Sequence, residues 1–299
     1  GAACWPDGDL GPAAWPEKRV EGGGGLFVYR GGDTTVQLSR FEGNQASFGG
    51  AIYMEENALL LRYSVLNDNH VAARQDGEVG GAGVHARNAT LRVENSSLYR
   101  HQTEGGESHM ERGAVVVEDG VLQMFSSTIA ENAFCGIATW NSDTLLQNLT
   151  LQYNDCGLRW SNQPFVTATL RTLFMRNSVI AYNLHANCDI TVVPPDVRDI
   201  DGHNLDSDGS CNLAASFGNF PNLSPGMGYL DTQLALPAIS PVAGSPLIDA
   251  GSPLDPASGN PEACFQLDQL GVVRQPGRCD IGAVERTELF SNGFESPKV

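Results

Sequence analysis

Two stretches of the sequence gather side chains able to move protons: HVAARQDGEV (70–79) and QTEGGESHMER (102–112). His70, His101 and His109 fall in or beside them, together with Asp76, Glu78, Glu104, Glu107, Glu111, Arg74 and Arg112. An imidazole near carboxylates can act as a general base or help hold a divalent cation. His101, Glu107, His109 and Arg112 are therefore the candidate catalytic set. The competing reading is a pair of solvated acidic loops carrying ordinary surface histidines.

Two other groups could recognise a ligand. If Trp140 and Trp160 point outward, they offer an aromatic platform for sugar rings; if inward, they are core. Asp196, Asp199, Asp201, Asp206 and Asp208, with Asn204, form an oxygen-rich run. Asp199, Asp201, Asp206 and Asp208 are the candidate Ca²⁺ ligands, although their spacing departs from the EF-hand loop. A solvated Asp-rich turn is the alternative.

The elements that must position these residues repeat. LSRFEGN (38–44), YSVLNDN (63–69), NSSLYRH (95–101), SSTIAEN (126–132), NLTLQYN (148–154) and NSVIAYN (177–183) share one pattern. Their last residues are Asn44, Asn69, His101, Asn132, Asn154 and Asn183, at intervals of 25, 32, 31, 22 and 29. A second phrase follows in step: FGGAIY, VGGAGV, ERGAVVV, FCGIAT and DCGLRW. A third strand-like segment separates the phrases. Short β-branched runs punctuated by Gly, Asn, Asp and Ser are strands, and a unit of three cannot bury its own apolar face. Stacking successive units solves that problem.

The expected fold is all-β: a single-stranded right-handed parallel β-helix of about 6–8 coils. The recurring Asn should turn one corner in the left-handed conformation and form a ladder of side-chain amides. The two longest intervals hold the two histidine-bearing insertions, which should leave the same corner of neighbouring coils and lie side by side.

Seven cysteines appear without a C-x-x-C pair. Cys135 and Cys156 occupy the same place in adjacent units, and stacked strands lie about 4.7–4.9 Å apart, so a disulfide should staple two coils. Nearness in sequence pairs Cys188 with Cys211 and Cys264 with Cys279, leaving Cys4 unpaired. Such cysteine use implies an oxidising compartment. The start, GAACWPDG, lacks a basic, apolar signal pattern, so any export signal is expected to have been removed.

Thirty-five acidic residues face 18 basic ones, a net charge of −17 over 299 residues. That balance repels nucleic acid and anionic surfaces, and no apolar run is long enough to span a membrane as a helix. Residues 19–297 contain no lysine, so a lyase would need Arg or His as its base. The nucleophile and zinc motifs G-x-S-x-G and H-E-x-x-H are missing.

The FxxN and GGAI phrases over residues 38–183 resemble the repeats of chlamydial polymorphic outer membrane proteins and of bacterial right-handed β-helix surface proteins. DGHNLDSDGSC (201–211), SPLIDAG (245–251), DQLGVVR (268–274) and CDIGAVE (279–285) resemble the choice-of-anchor Q region that follows such helices. ELFSNGFE (288–295) resembles a short tail of exported gammaproteobacterial proteins. These resemblances imply secretion or display on the outer surface of a Gram-negative bacterium, and they transfer no catalytic residue.

The expected organisation is an N-terminal cap (1–21), a β-helix (22–193), a Pro-rich closing region (194–287) that wraps the open last coil, and a tail (288–299). A non-catalytic adhesin, a monomer binding polysaccharide or another cell-surface component, is the first expectation. A polysaccharide lyase or glycoside hydrolase using the 70–79/102–112 flank, possible with Ca²⁺, is the second, resting on analogy of fold.

Overall fold

A computed structural model describes residues 22–72, 80–104, 112–162, 170–193 and 196–286. The chain coils into an all-parallel β-solenoid with three long sheets. The first contains Leu26–Tyr29, Ile52–Glu55, Val84–Arg87, Gly113–Glu118, Cys135–Trp140, Cys156–Ser161 and Ala186–Thr191. The second contains Thr34–Gln37, Ala58–Arg62, Thr90–Glu94, Val121–Phe125, Asp143–Gln147, Thr172–Arg176 and Val197–Asp199. The third runs from Arg40–Glu42 through Val65–Asn67, Ser97–Tyr99, Thr128–Ala130, Thr150–Gln152 and Val179–Ala181 to Leu205–Asp206 and Phe220–Pro221.

About five turns have a neighbour on both sides, fewer than the coil number expected from the repeats, with a ragged turn at each end. Pairing continues beyond residue 193. Among the described residues, no helix is long and apolar enough to cross a membrane.

The core follows from parallel stacking. Each turn sends one residue per strand position inward, in register with its neighbours above and below. Ile52, Val84, Val115, Ile137 and Leu158 form one inner column. Leu61, Val93, Met124, Leu146 and Met175 form a second, and Leu66, Leu98, Ile129, Leu151 and Ile180 a third. All fifteen are buried in one cluster. Deleting one such side chain to Ala typically costs about 2–5 kcal/mol.

The corners are single residues in the left-handed region. The third corner places Gly43, Asp68, Arg100, Glu131, Tyr153 and Tyr182 there. This corrects the expectation for the recurring asparagines. The residue before each one turns the chain, and the asparagine itself points inward. The amide ladder is nevertheless present: Asn44 Nδ2 donates to Asn69 Oδ1 (2.9 Å), Asn132 Nδ2 to Asn154 Oδ1 (2.7 Å) and Asn154 Nδ2 to Asn183 Oδ1 (3.1 Å). It continues through Asn187 to Asp206 Oδ1.

Left-handed backbone costs a residue with a Cβ about 1–2 kcal/mol. The ladder hydrogen bonds and the paired strands on either side offset that cost. At Gly49 (φ 57°) a Cβ would lie 2.1 Å from the Ile52 carbonyl oxygen, so only glycine fits. A second ladder follows the second corner. The backbone N–H groups of Ser39, Ser64 and Ser96 donate to the hydroxyls of Ser64, Ser96 and Ser127 one turn on.

The long intervals open with extra strand. Gln45–Ala46, His70–Ala72 and Gln102–Glu104 pair in parallel as a small fourth sheet. The two insertions therefore do begin side by side.

The closing region departs from expectation. Residues up to Leu213 do plug the end of the core, through Ile200, Cys211 and Leu213. The rest turns back along the outside of the third sheet. Leu230 and Ile239 pack on Val65, Tyr99 and Ala130, while Leu247 and Ile281 pack on Val179, Ala181 and Leu205. From Val65–Asn67 to Leu205–Asp206 the third-sheet strands are consequently buried on both faces, whereas second-sheet strands such as Val121–Phe125 and Asp143–Gln147 begin by alternating half-buried and buried. This strap also satisfies the second corner: Asn95 Nδ2 donates to the Asp268 carbonyl (2.6 Å), and Asn148 Oδ1 accepts from Phe265 N–H (2.7 Å).

All three expected disulfides are present, with Cα separations of 4.2 Å for Cys135–Cys156, 4.8 Å for Cys188–Cys211 and 6.7 Å for Cys264–Cys279. Cys4 and the expected cap (1–21) and tail (288–299) lie outside the described residues.

Candidate functional site

The solenoid places its candidate residues in three different settings. His101 is completely buried. Its Nδ1 accepts the Asn69 backbone N–H (3.1 Å), and its own backbone N–H donates to Asn132 Oδ1 (3.0 Å). It stands in the amide ladder where other turns have asparagine, and burial pushes its pKa down to about 3. The expectation of a solvent-facing imidazole on the flank is corrected: the ring is neutral and lies in the core. Glu107 and His109 lie outside the described residues. Arg112 is buried, its Nη1 donating to Thr103 Oγ1.

The tryptophans part company. Trp160 is buried in the main core, and its Nε1 donates to the Ser142 carbonyl (3.2 Å), so it is not a platform. Trp140 is half-buried and packs beside the Cys135–Cys156 disulfide, Val116 and Ala138. Its neighbours in the column are Glu118 and Ser161. Strand parity separates the two rings, since residues in register alternate in face along each strand.

The four aspartates do not converge as a set: Asp206 and Asp208 adjoin, both accepting from Asn187, while Asp199 and Asp201 have other partners. Asp199 Oδ1 pairs with Arg176 Nη2 (2.6 Å). Asp206 is buried, and its oxygens accept from Asn187 Nδ2 (2.7 Å) and Cys211 N–H (2.8 Å). Asp208 accepts from the backbone N–H and hydroxyl of Ser210. Asp201 is exposed and accepts from Asn219 Nδ2 at 3.5 Å. These carboxylates fasten the last turn. Among the described residues no group of three or more His, Cys, Asp or Glu side chains could hold a metal ion, so the expected Ca²⁺ site is not formed by this set.

Other displaced titrations are structural too. His85 is buried against Phe48 and Tyr53, with its Nδ1 accepting from Gly81 N–H (3.2 Å) and its pKa pushed down to about 3 by burial. In the strap, Arg274 is fully buried among Asp268, Asp280 and Glu285, and burial raises the Glu285 carboxyl to about 7.

A concave feature lies elsewhere, where no candidate residue was expected. On the outer face of the second sheet, a trough of about 320 Å³ is floored by three successive turns. Val121 and Gln123 come from one strand, Asp143 and Leu145 from the next, Thr172 and Phe174 from the third, and Pro261 of the strap forms one wall. These six floor side chains are all half-buried. Alternation along each strand presents them outward while their neighbours fill the core.

The trough is fixed from behind. Phe265 of the strap stacks on Phe125 (4.8 Å), Arg92 lies over the Phe125 ring (4.4 Å), and Arg92 Nη1 donates to Gln123 Oε1 (3.0 Å). Asp143 Oδ1 accepts from both the backbone N–H and the hydroxyl of Thr172 (2.9 Å each). The signal for this site in the sequence was the run of outward residues VLQMF, DTLLQ and TLFMR, where apolar and polar side chains occupy the solvent side of consecutive turns.

No family model, no curated protein and no solved structure matches the chain. The likeness to outer-membrane repeats and to the anchor region therefore rests on the short phrases alone. What the geometry itself defines is a disulfide-stapled parallel β-solenoid with one flank covered by its own C-terminal strap.

Proposed function

We propose that this is an exported, non-catalytic binding module of the adhesin type, which engages a polysaccharide or another cell-surface component through the outer face of its second sheet. One observation carries the reading: the trough is shallow and open, and three stacked turns floor it with outward apolar, amide, carboxylate and hydroxyl side chains at one-turn intervals. Such a surface suits recognition along a chain. Pockets for a small substrate are more enclosed and converge polar groups on one point. The displaced histidines and acids of the described residues are tied into ladders and the strap instead.

Three disulfides fit an extracellular setting, and display on or secretion from a Gram-negative cell completes the proposal. The test is incubation with a panel of polysaccharides, following retention alongside unsaturated-product absorbance and reducing ends, with and without chelator. Saturable retention without turnover is expected. Turnover of any polymer would replace this reading with a carbohydrate-active enzyme.

A further inference from the structure

The charges of the second-sheet face narrow the ligand. Arg92 pairs with Glu94 (2.6 Å), Arg171 with Asp143 (3.3 Å) and Arg176 with Asp199 (2.6 Å). Arg62 donates through Nε and Nη2 to Gln37 Oε1 (3.0 and 2.8 Å). Two of these guanidiniums also lie over aromatic rings, Arg92 over Phe125 and Arg176 over Phe174 (4.1 Å). The one ionisable side chain among those lining the trough is a carboxylate, Asp143. A polyanion would meet that carboxylate, arginines already engaged, and the field of a chain with net charge −17.

Resting on the reading that the trough is the binding site, we propose that it takes an uncharged, extended polysaccharide, bound by the interior of its chain. The floor repeats every turn, about 4.7–4.9 Å, which is close to the length of one sugar residue in an extended pyranose chain. Leu145 and Phe174 offer apolar surface for sugar faces. Beyond the bonds already named, the Gln123 amide keeps its N–H donors, the Asp143 carboxylate further lone pairs and the Thr172 hydroxyl its acceptor capacity, and these can meet equatorial hydroxyls.

The experiment titrates the whole protein with a soluble neutral glucan, a xylan, a mannan and polygalacturonate, at low and at high salt. A neutral polymer should be retained, with affinity changing less than about twofold between the salts because no ion pair forms on binding. Gln123→Ala and Phe174→Ala should each weaken it by roughly tenfold, a loss of about 1.4 kcal/mol, with an unchanged circular-dichroism spectrum. Preference for polygalacturonate with an affinity that falls in salt would overturn the inference and leave the binding reading standing. Retention of a neutral polymer that is indifferent to both substitutions would overturn the assignment to this trough. Retention of none of the four would overturn both.

Discussion

His101 Nδ1 accepts the backbone N–H of Asn69, one turn away, at 3.1 Å. The imidazole thereby does what an asparagine oxygen does at the other turns, but it does only half of the task. With Nδ1 accepting, the proton sits on Nε2, and that atom is buried beside Gly83 without a hydrogen-bond partner among the described residues. An unsatisfied buried donor costs about 1–3 kcal/mol. His101→Asn should therefore raise stability by about 1 kcal/mol, while His101→Ala, which removes both the acceptor and the volume, should lower it by about 2–3 kcal/mol. Urea unfolding midpoints read both; an asparagine variant less stable than the parent would contradict the ladder assignment.

The same residue predicts an acid response. The folded pKa values of His101 and His85 are both about 3, below the ordinary 6.5, because burial disfavours the charged ring. A depressed folded pKa means that the unfolded chain binds protons first, so the stability these rings contribute is complete above pH 6.5 and is lost as pH falls toward 3. Thermal unfolding followed across that range should show the midpoint falling, and His101→Asn should flatten the slope. An unchanged slope in the variant would mean that His101 is protonated in the folded protein.

Glu285 carries the opposite sign. Its folded pKa, about 7, lies above the ordinary 4.5, so its contribution is complete below pH 4.5 and is lost as pH rises through 7. The strap should loosen on the alkaline side while the solenoid does not. Hydrogen exchange of strap amides such as Asp280 N–H and Ile281 N–H should quicken above pH 7, relative to core strands. Glu285→Gln keeps an acceptor for Arg274 and should remove that acceleration.

Trp160 and Trp140 differ by one step of strand parity, and their substitutions should differ accordingly. Trp160→Ala should cost about 3–5 kcal/mol, the range for large aromatic deletions in a core. Trp140, half-buried on the disulfide, should cost about 1–2 kcal/mol. Denaturation midpoints measure both, and equal costs would contradict the assignment of Trp160 to the interior.

The strap's disulfide bears on the trough wall. Cys264 lies next to Phe265 and three residues from Pro261, and Gly251 sits so close to the bridge that a Cβ would lie 2.3 Å from Cys279 Sγ. Replacing both Cys264 and Cys279 by Ser should cost about 2–4 kcal/mol, with exchange in 252–265 rising before exchange in the solenoid. Uniform destabilisation would show that strap and solenoid unfold as one unit.

How much of this was legible in the sequence depended on periodicity. The phrases ending in Asn44, Asn69, Asn132, Asn154 and Asn183 set the turns, and the matched places of Cys135 and Cys156 set the register between two of them. Which residue turns the corner was not legible, because Asp68, Arg100, Glu131, Tyr153 and Tyr182 share no side-chain property; the backbone imposes their conformation. His101 read as a surface residue because a broken repeat looks the same whether the new side chain faces out or in. The strap's path was hidden because a Pro-rich segment without strand periodicity carries no pattern of faces. The trough emerged only once three turns were stacked, since Gln123, Leu145 and Phe174 lie 22 and 29 residues apart in sequence.

Binding at the outer face of the second sheet is tested most directly by titration calorimetry of the parent protein, Phe174→Ala and Trp140→Ala with whichever polysaccharide is retained. Phe174→Ala should lose roughly tenfold in affinity, about 1.4 kcal/mol, and Trp140→Ala nothing; full affinity in the Phe174 variant with loss in the Trp140 variant would place the ligand elsewhere.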